Sequence, residues 1–378
     1  MESPYGEELE MFRATVRAFF RNELAPRARE FDDKGVDRSF WRAAGKAGLL
    51  GTIIPEEYGG PGADPLTIVI ISEELGRCPQ AASVGACISS DIATAFLVRH
   101  GTEEQKKYWA PKILSGDAIQ AMALTEPESG SDAASIRSTG RREGDHYIIN
   151  GAKCFISNGY KADLIYAIVK TDPAARAKGM SVIIVPGDAP GVTRRRTSTM
   201  GYRGGDTGEI FFDNVKVPVT NLVGEEGNAM RMFHKTIALD RLQISARAVG
   251  AAEAAFEMTL DHARTRRIFG QRLIDFQNTQ FKLAEMEVDI AVGRTLLNDT
   301  IRKYRAGEFT DNDGAIIKIW IPEMEGRVLD ACVQLWGGNG FMDDMPISRM
   351  YTAARVDRIF AGATELQKSL MARKYLNP

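Results

Sequence analysis

The sequence predicts an α+β protein in three successive parts. These are an N-terminal α-helical domain at residues 1–120, a central antiparallel β-barrel or β-sandwich domain at 121–225, and a C-terminal four-helix bundle at 226–378. Apolar residues recur at helical spacing in the first and last parts, whereas short segments rich in β-branched and aromatic residues fill the middle. A chain of 378 residues is long enough to bury more than one hydrophobic core.

The first part has the spacing of several short helices. Leu9, Phe12 and Val16 recur at intervals of three and four residues, as they do on one face of a helix. A cluster of Pro and Gly at 55–65 interrupts this pattern, so we expect separate helices rather than one long one.

The middle part predicts strands at 146–149, 164–169, 181–185 and 209–212. Turn signals such as Asn150-Gly151, Asn158-Gly159 and Pro186-Gly187 separate them, and we expect the segment 155–159 to close a hairpin. No helical segment of crossover length lies between them, which disfavours a parallel, doubly wound sheet. In the last part, long amphipathic segments at 229–265, 279–304, 312–336 and 348–376 predict the bundle.

Composition excludes several functional classes. The formal net charge of −2 favours neither nucleic acid nor an anionic membrane. The four cysteines (Cys78, Cys87, Cys154 and Cys332) and the four histidines are dispersed, so we expect a reducing, cytoplasmic environment and no metal site. The first ten residues lack the basic region and apolar stretch of a signal peptide, and no apolar run approaches the ~18 residues that span a bilayer, so we expect neither a signal peptide nor a membrane span. Motifs of Rossmann dinucleotide, P-loop and α/β-hydrolase sites are also missing from the sequence.

Five separated motifs carry the chemistry. They are Thr125-Glu-Pro-Glu-Ser-Gly-Ser-Asp132, Phe155-Ile-Ser-Asn-Gly159, Arg266-Arg-Ile-Phe-Gly270 with Gln277, Gln334-Leu-Trp-Gly-Gly-Asn-Gly-Phe341, and Ile359-Phe-Ala-Gly-Ala-Thr-Glu-Leu-Gln367. Each alone has an ordinary explanation as a polar loop, a strand end or a helix terminus. Together, and in this order, they resemble the acyl-CoA dehydrogenases, flavoenzymes that remove two hydrogens across the α,β carbons of an acyl thioester. The motifs are most similar to those of the long-chain and branched-chain members.

The resemblance implies FAD as cofactor and a set of residues that bind it. Leu124, Thr125, Phe155 and Ser157 would contact the flavin ring, and Ser131 its phosphate region and the substrate. The remaining cofactor residues would be Arg266, Phe269, Gln277, Gln334, Gly338, Ala363, Thr364 and Glu365. Because several of these reach the FAD of a neighbouring subunit in the family, we expect a homo-oligomer, commonly a tetramer. An exposed aromatic at Phe155 would face the acceptor, which the resemblance implies is an electron-transfer flavoprotein.

The catalytic base is the point at which the chain departs from many family members. Ala361 stands where they have a glutamate, although its backbone N–H and Gly362 could still anchor the thioester carbonyl. Other members carry the base on the first long C-terminal helix, directly before an arginine. Here Asp240 occupies that position and is the candidate base, and Arg241 would bias its charge and bind substrate.

Alternatives to Asp240 as the base remain open. Asp240 and Arg241 could form an ordinary ion pair, and Asp is one methylene shorter than Glu, which matters because a misplacement of about 1 Å can cost about 10²-fold in rate. Asp357 and Glu365, expected one helical turn either side of Ala361, are less favoured bases.

Ala361 leaves volume near the reacting carbons, which favours a branched, cyclic or long acyl chain. Three other functions stay open. The protein could dehydrogenate carrier-protein-bound thioesters, act as a flavin oxygenase of the same fold, or be a flavin-binding relative with impaired catalysis.

Overall fold

The computed structural model describes residues 3–82, 84, 88 and 91–376, so Cys87 lies outside the described residues. The N-terminal helices are α1 (Glu7–Phe19), α2 (Ala28–Lys34), α3 (Arg38–Lys46), α4 (Leu66–Gly76), α5 (Asp91–His100) and α6 (Glu103–Leu114). The carboxylate of Asp37 accepts the backbone N–H of Phe40 and so caps α3. Every residue of α4 is buried, because α1 packs on one side of it and a C-terminal helix on the other. Among the described helices, none is both long and apolar enough to cross a membrane.

The central domain is built on a mainly antiparallel sheet. Its strands are β1 (Gln120–Ala123), β2 (Thr139–Glu143), β3 (His146–Ile156), β4 (Leu164–Lys170), β5 (Met180–Pro186), β6 (Val192–Arg196), β7 (Gly208–Pro218) and β8 (Leu222–Val223). Their order is β6-β7-β3-β2-β4-β5-β8, and β1 pairs with β4. The pairing of β1 with β4 is parallel, as is a single contact between β2 and β4.

The expected hairpin at 155–159 is not formed. Strand β3 pairs with β2 and β7, not with β4, so the turn after β3 leads the chain to another part of the sheet. The Asn158 side chain instead donates to the carbonyl of Gln120 in β1 at 3.2 Å, and its backbone has φ 61°. The turn signal was identified correctly, but the strands it joins are set by long-range pairing.

The C-terminal domain contains α7 (Ala229–Thr265), α8 (Gln277–Ala306) and α9 (Asp311–Trp336), which pack on one another. A short hairpin of β9 (Arg267–Ile268) and β10 (Gln271–Arg272) separates α7 from α8. The predicted fourth helix at 348–376 is wrong as a single element. It is divided into α10 (Pro346–Ala354), a 3₁₀ turn at Arg355–Arg358, a loop at 359–363 and α11 (Thr364–Leu376).

Backbone geometry explains that break. Ala361 has φ 51° and Gly362 has φ 92°, values that no right-handed helix contains. Positive φ is unfavourable for an alanine, so the surrounding contacts must hold Ala361 in this conformation. Asp357 and Glu365 therefore do not lie one helical turn either side of Ala361, as the sequence pattern suggested.

A segment between β6 and β7, residues 197–207, touches all three parts of the chain, and we call it the linking loop. The Gly204 carbonyl accepts the N–H of Val36 from the N-terminal part at 3.2 Å. The Gly205 carbonyl accepts the N–H of Asn158 from the sheet, also at 3.2 Å. The Tyr202 hydroxyl donates to a carboxylate oxygen of Asp357, near the loop at 359–363, at 3.2 Å. The linking loop thus ties the turn after β3 to the C-terminal site.

Candidate active site

The first half of the candidate site lies where β1 and β3 end side by side. The backbone N–H of Cys154 donates to the Thr125 carbonyl at 2.9 Å, which brings Leu124 and Thr125 next to the segment 155–157. Phe155 has φ 58° and its ring is 68% exposed, while Thr125 and Ser157 are half-buried and Ser131 is exposed. Two hydroxyls and an outward aromatic ring thus meet on one surface.

A buried ion pair lies on the interior side of this surface and holds its backbone. Lys153 is 1% exposed, and its Nζ lies 2.7 Å from Glu126 Oε1. The same Nζ donates to the carbonyls of Leu124 at 3.0 Å and Ile168 at 2.6 Å. Burial would raise the pKa of Glu126, but the Lys153 charge and the backbone N–H of Arg137 outweigh it, so that pKa is lowered. The sequence analysis missed this pair, although a lysine within a buried strand was a usable signal.

Replacing Lys153 with Met is expected to destabilise the protein by about 3–5 kcal/mol, because it leaves the Glu126 carboxylate buried without a counter-charge. The Leu124 carbonyl loses its donor as well, so flavin binding should weaken. Urea unfolding of the flavin-free protein and a flavin titration measure the two effects. The matched control is Arg195→Met on the edge strand β6, where the arginine side chain that pairs with Glu209 is 72% exposed. It is expected to cost less than about 1 kcal/mol. Equal losses in the two variants would contradict the supporting role of Lys153.

The residues expected to reach a neighbouring subunit's cofactor lie on the outer surface of the C-terminal part. Arg266, Phe269 and Gln277 follow one another from the end of α7 to the start of α8, and Gln334 and Gly338 lie at the end of α9. Trp336 stacks on His262 with ring centroids 4.4 Å apart, so the ends of α9 and α7 are adjacent. No hydrogen bond or ring contact of the described residues joins this surface to Thr125 or Phe155 within the chain. Phe269 is 93% exposed.

The second half of the site is centred on Asp240 in α7. It is half-buried, so protein atoms surround it while solvent still reaches it. Oδ1 accepts a hydrogen bond from Gln243 Nε2 at 2.7 Å. Burial raises the pKa of Asp240, and the hydrogen bond from Gln243 and the charges of Lys318 and Arg247 oppose that rise.

Arg241 is buried, and a Cβ added at Gly314 of α9 would lie 3.3 Å from its Cδ, so it points towards that helix. The described residues show no ion pair between Arg241 and Asp240. The Arg241 charge favours the ionised form of Asp240, but less strongly than the charges of Lys318 and Arg247 do.

A buried charged cluster lies beneath the loop at 359–363. Lys318 of α9 donates to the backbone carbonyls of Asp357 at 2.6 Å and Gly362 at 3.3 Å. Arg247 of α7 donates to Asp357 Oδ1 at 2.7 Å, and Glu325 lies buried nearby. Burial lowers the pKa of Lys318 to about 8, against the opposing charges of Asp357 and Asp240. Burial, then the Asp357 charge, raises the pKa of Glu325 well above its ordinary range, which keeps this carboxyl neutral.

The sequence analysis missed this cluster as well. Its signal was a charged residue at an otherwise apolar helical position: Arg247 stands in the run Ile-Ser-Ala-Arg-Ala-Val, and Lys318 in Ile-Ile-Lys-Ile-Trp-Ile. Asp357, earlier a minor candidate for the base, is fully buried and held by Arg247, so its role in this structure is to anchor the cluster.

The loop at 359–363 leads directly into α11. The Gly362 carbonyl accepts from Gln367 Nε2 at 3.4 Å as well as from Lys318, which fixes the peptide group between Gly362 and Ala363. Thr364 is buried and donates to the Arg358 carbonyl at 3.4 Å, Ala363 is half-buried and Glu365 is exposed. This arrangement presents backbone rather than carboxylate at position 361.

The residues present suit a flavin rather than a metal. Among the described residues no group of His, Cys, Asp or Glu could hold a metal ion. Phe155 exposes an apolar ring near Thr125 and Ser157, whose half-buried hydroxyls can bond polar atoms, and this combination matches a planar ring with polar edges. At Gly338 an added Cβ would meet nothing within 4 Å, so that surface is open to a ligand or a second chain.

Family profiles match nearly the whole chain. The N-terminal domain of acyl-CoA dehydrogenases matches residues 6–117, the middle domain 121–215 and the C-terminal domain 227–376. The long-chain specific acyl-CoA dehydrogenase of Sus scrofa mitochondria is 34% identical over 377 residues, covering 99% of this chain and 87% of that protein. The mitochondrial isovaleryl-CoA dehydrogenase of Pongo abelii is 33% identical over 376 residues, covering 98% and 89%.

Solved structures agree with these sequence matches. An acyl-CoA dehydrogenase from Geobacillus kaustophilus is 40% identical, with a TM-score of 0.95 and full coverage of both chains. An acyl-CoA dehydrogenase from Bacillus anthracis in complex with FAD is 30% identical with a TM-score of 0.91, covering 98% of this chain and 67% of that one.

Proposed function

This chain belongs to the acyl-CoA dehydrogenase family, FAD-dependent oxidoreductases that act on acyl-CoA, and from that premise we propose that Asp240 is its catalytic base. The observation that carries the proposal is the place of Asp240, half-buried on α7 and held by Gln243 at 2.7 Å. Lys318 holds the carbonyl of Gly362, next to Ala361, and its charge favours the ionised form of Asp240. The same lysine thereby acts on the carboxylate and on the loop of the proposed thioester anchor.

In the proposed reaction, FAD bound by the residues named below would supply the acceptor for the hydride of the β-carbon. The Asp240 carboxylate takes the α-proton, and the electron pair of the broken Cα–H bond becomes the Cα=Cβ double bond as the hydride leaves. The backbone N–H of Ala361 donates to the thioester carbonyl, where negative charge develops. Because burial raises the pKa of Asp240, its ionised form is a stronger base than an exposed aspartate.

The proposed cofactor contacts lie on the two surfaces described above, one around Thr125 and Phe155 and the other on the outside of the C-terminal part. Leu124, Thr125, Phe155 and Ser157 would hold the ring, and Ser131 the phosphate region and substrate. Arg266, Phe269, Gln277, Gln334 and Gly338 would hold the adenosine end of a second subunit's FAD, with Ala363, Thr364 and Glu365 completing the site. Exposed Phe269 and Phe341, at 93% and 86%, support a homo-oligomer, which we propose is a tetramer.

We propose an electron-transfer flavoprotein as the acceptor. The exposed Phe155 ring lies at the edge of the proposed flavin site, where a second redox protein could approach it.

For the substrate we propose a branched, cyclic or long acyl-CoA. The side chain at position 361 is a methyl group, and a base approaching from α7 leaves the space above it open to substituents. The long-chain and isovaleryl relatives act on substrates of these kinds, as their names say.

An anaerobic panel of acyl-CoAs, followed by bleaching of the bound flavin, tests the proposal. Branched, cyclic and long acyl-CoAs are expected to bleach the flavin, and to give a kcat/KM about tenfold or more above that of butyryl-CoA. That ratio is what a few methylenes are worth in a hydrophobic pocket. The highest kcat/KM on butyryl-CoA would overturn the substrate assignment, and no bleaching by any acyl-CoA would overturn the activity.

A further inference from the structure

Gln243 is a polar side chain in an apolar place. It lies one helical turn after Asp240 on α7 and is 4% exposed, in the contact between α7 and α4. A buried amide is costly unless its polar atoms are hydrogen-bonded. Its Nε2 donates to Asp240 Oδ1 at 2.7 Å, and its Oε1 accepts from the Ser72 hydroxyl of α4 at 3.3 Å. Both ends of the amide are thereby used.

The order of donors and acceptors along these hydrogen bonds is set by Asp240. Because an ionised carboxylate can only accept, the NH₂ end of Gln243 must face Asp240, which leaves Oε1 to accept from the Ser72 hydroxyl. Flipping the amide would lose the bond to Asp240. Asp240 Oδ1 is therefore occupied, whereas none of the described residues donates to Oδ2.

We propose that Gln243, anchored by Ser72, is a positioning residue that holds the Asp240 carboxylate with Oδ2 free to receive the α-proton. The inference rests on the proposed role of Asp240 as base. An aspartate is shorter than a glutamate, and fixing its side-chain rotation limits the misplacement that would slow proton transfer. The other charged groups facing Asp240 are Arg241 and Arg247 from α7 and Lys318 from α9.

The test measures exchange of the substrate α-proton with D₂O on the reduced holoenzyme, where no net turnover occurs. Gln243→Leu is expected to slow exchange by about tenfold to hundredfold, the range that a misplacement of about 1 Å produces. The KM for the acyl-CoA should change less than threefold. Ser72→Ala should act in the same direction but more weakly. Ser245→Ala is the matched control and should leave exchange unchanged, since this buried hydroxyl on α7 donates to the Arg241 carbonyl and bonds no other group among the described residues.

A second measurement does not depend on turnover. The Gln243 hydrogen bond favours the ionised form of Asp240, so its loss should move the pKa of that carboxyl, and the acidic limb of the exchange rate, to higher pH. Carboxyl-¹³C NMR of Asp-labelled, flavin-free protein can follow this pKa, with Asp240→Asn assigning the signal.

The outcomes separate the inference from the proposed function. If Gln243→Leu keeps the wild-type exchange rate and pH profile while Asp240→Asn loses exchange, the positioning role is wrong and the base assignment stands. If Asp240→Asn exchanges as fast as wild type, the base assignment itself fails. Should Gln243→Leu not fold, Ser72→Ala decides: a slower rate and an acidic limb at higher pH support the inference, and unchanged values overturn it.

Discussion

Asp240→Asn is expected to slow α-proton abstraction by about 10²–10⁴-fold, the contribution of a positioned general base. The amide fills nearly the same volume and can still accept from Gln243, so the loss would report the missing carboxylate rather than a disturbed site. Anaerobic flavin bleaching by a good acyl-CoA, followed in a stopped-flow instrument, measures the effect. Asp261→Asn, an exposed position on the same helix, is the control and should bleach at the wild-type rate. Wild-type bleaching by Asp240→Asn would exclude Asp240 as the base.

The same substitution is expected to make the protein more stable. Burial raises the pKa of Asp240 in the folded state, so the folded protein binds this proton more tightly than the unfolded chain does. The stabilisation gained from binding this proton is fully present below the ordinary pKa of aspartate. It is lost as the pH rises through the raised pKa of Asp240 in the folded protein. Asp240→Asn does not titrate at this position, so its Tm should equal or exceed that of wild type by a margin that grows as the pH rises above about 4. A Tm difference that shrinks over this range would contradict the raised pKa.

Arg247→Met is expected to destabilise the protein by about 3–5 kcal/mol, because it leaves a buried carboxylate without its partner. Arg247 and Asp357 are both buried and their charged atoms lie 2.7 Å apart. Asp357→Asn should cost clearly less, although it breaks the same ion pair. The reason is Glu325, whose pKa is raised partly by the charge of Asp357. When the Asp357 charge is removed, Glu325 can ionise beside Arg247 and take over as the partner of that arginine.

Urea unfolding of the flavin-free proteins measures this asymmetry. Arg327→Met, which breaks the exposed pair with Asp289, is the control and should cost less than about 1 kcal/mol. Adding Glu325→Gln to Asp357→Asn should remove the compensation and bring the loss close to that of Arg247→Met. Equal losses for the two single variants would show that Glu325 does not take over the charge.

Helical and strand periodicity predicted the three-part architecture and the long helices well, because each depends on neighbours in sequence. It failed at 359–363, since left-handed residues such as Ala361 leave no mark on the spacing of apolar side chains. It also failed for the turn at Asn158, because this residue bonds the linking loop and β1, which are distant from it in sequence.

The residues of the candidate site were likewise predicted only in part from the sequence. The resemblance supplied Asp240, but the groups that set its charge and orientation, Gln243 and Lys318, act across helix contacts. The Arg247–Asp357 pair spans 110 positions, and such pairing cannot be read from either residue alone. A charged residue inside an apolar helical run was the one signal available for it.

The linking loop also has a consequence for the order in which the molecule assembles. Its bond from Tyr202 to Asp357 spans 155 positions, and the bond from Arg349 to Asp32 spans 317. Chains of this length fold domain by domain during synthesis, and closing such long loops is a late and slow event. A nascent chain whose middle sheet has already folded therefore still lacks half of its active site. We expect the enzyme to become competent to bind substrate only after its last helix has left the ribosome.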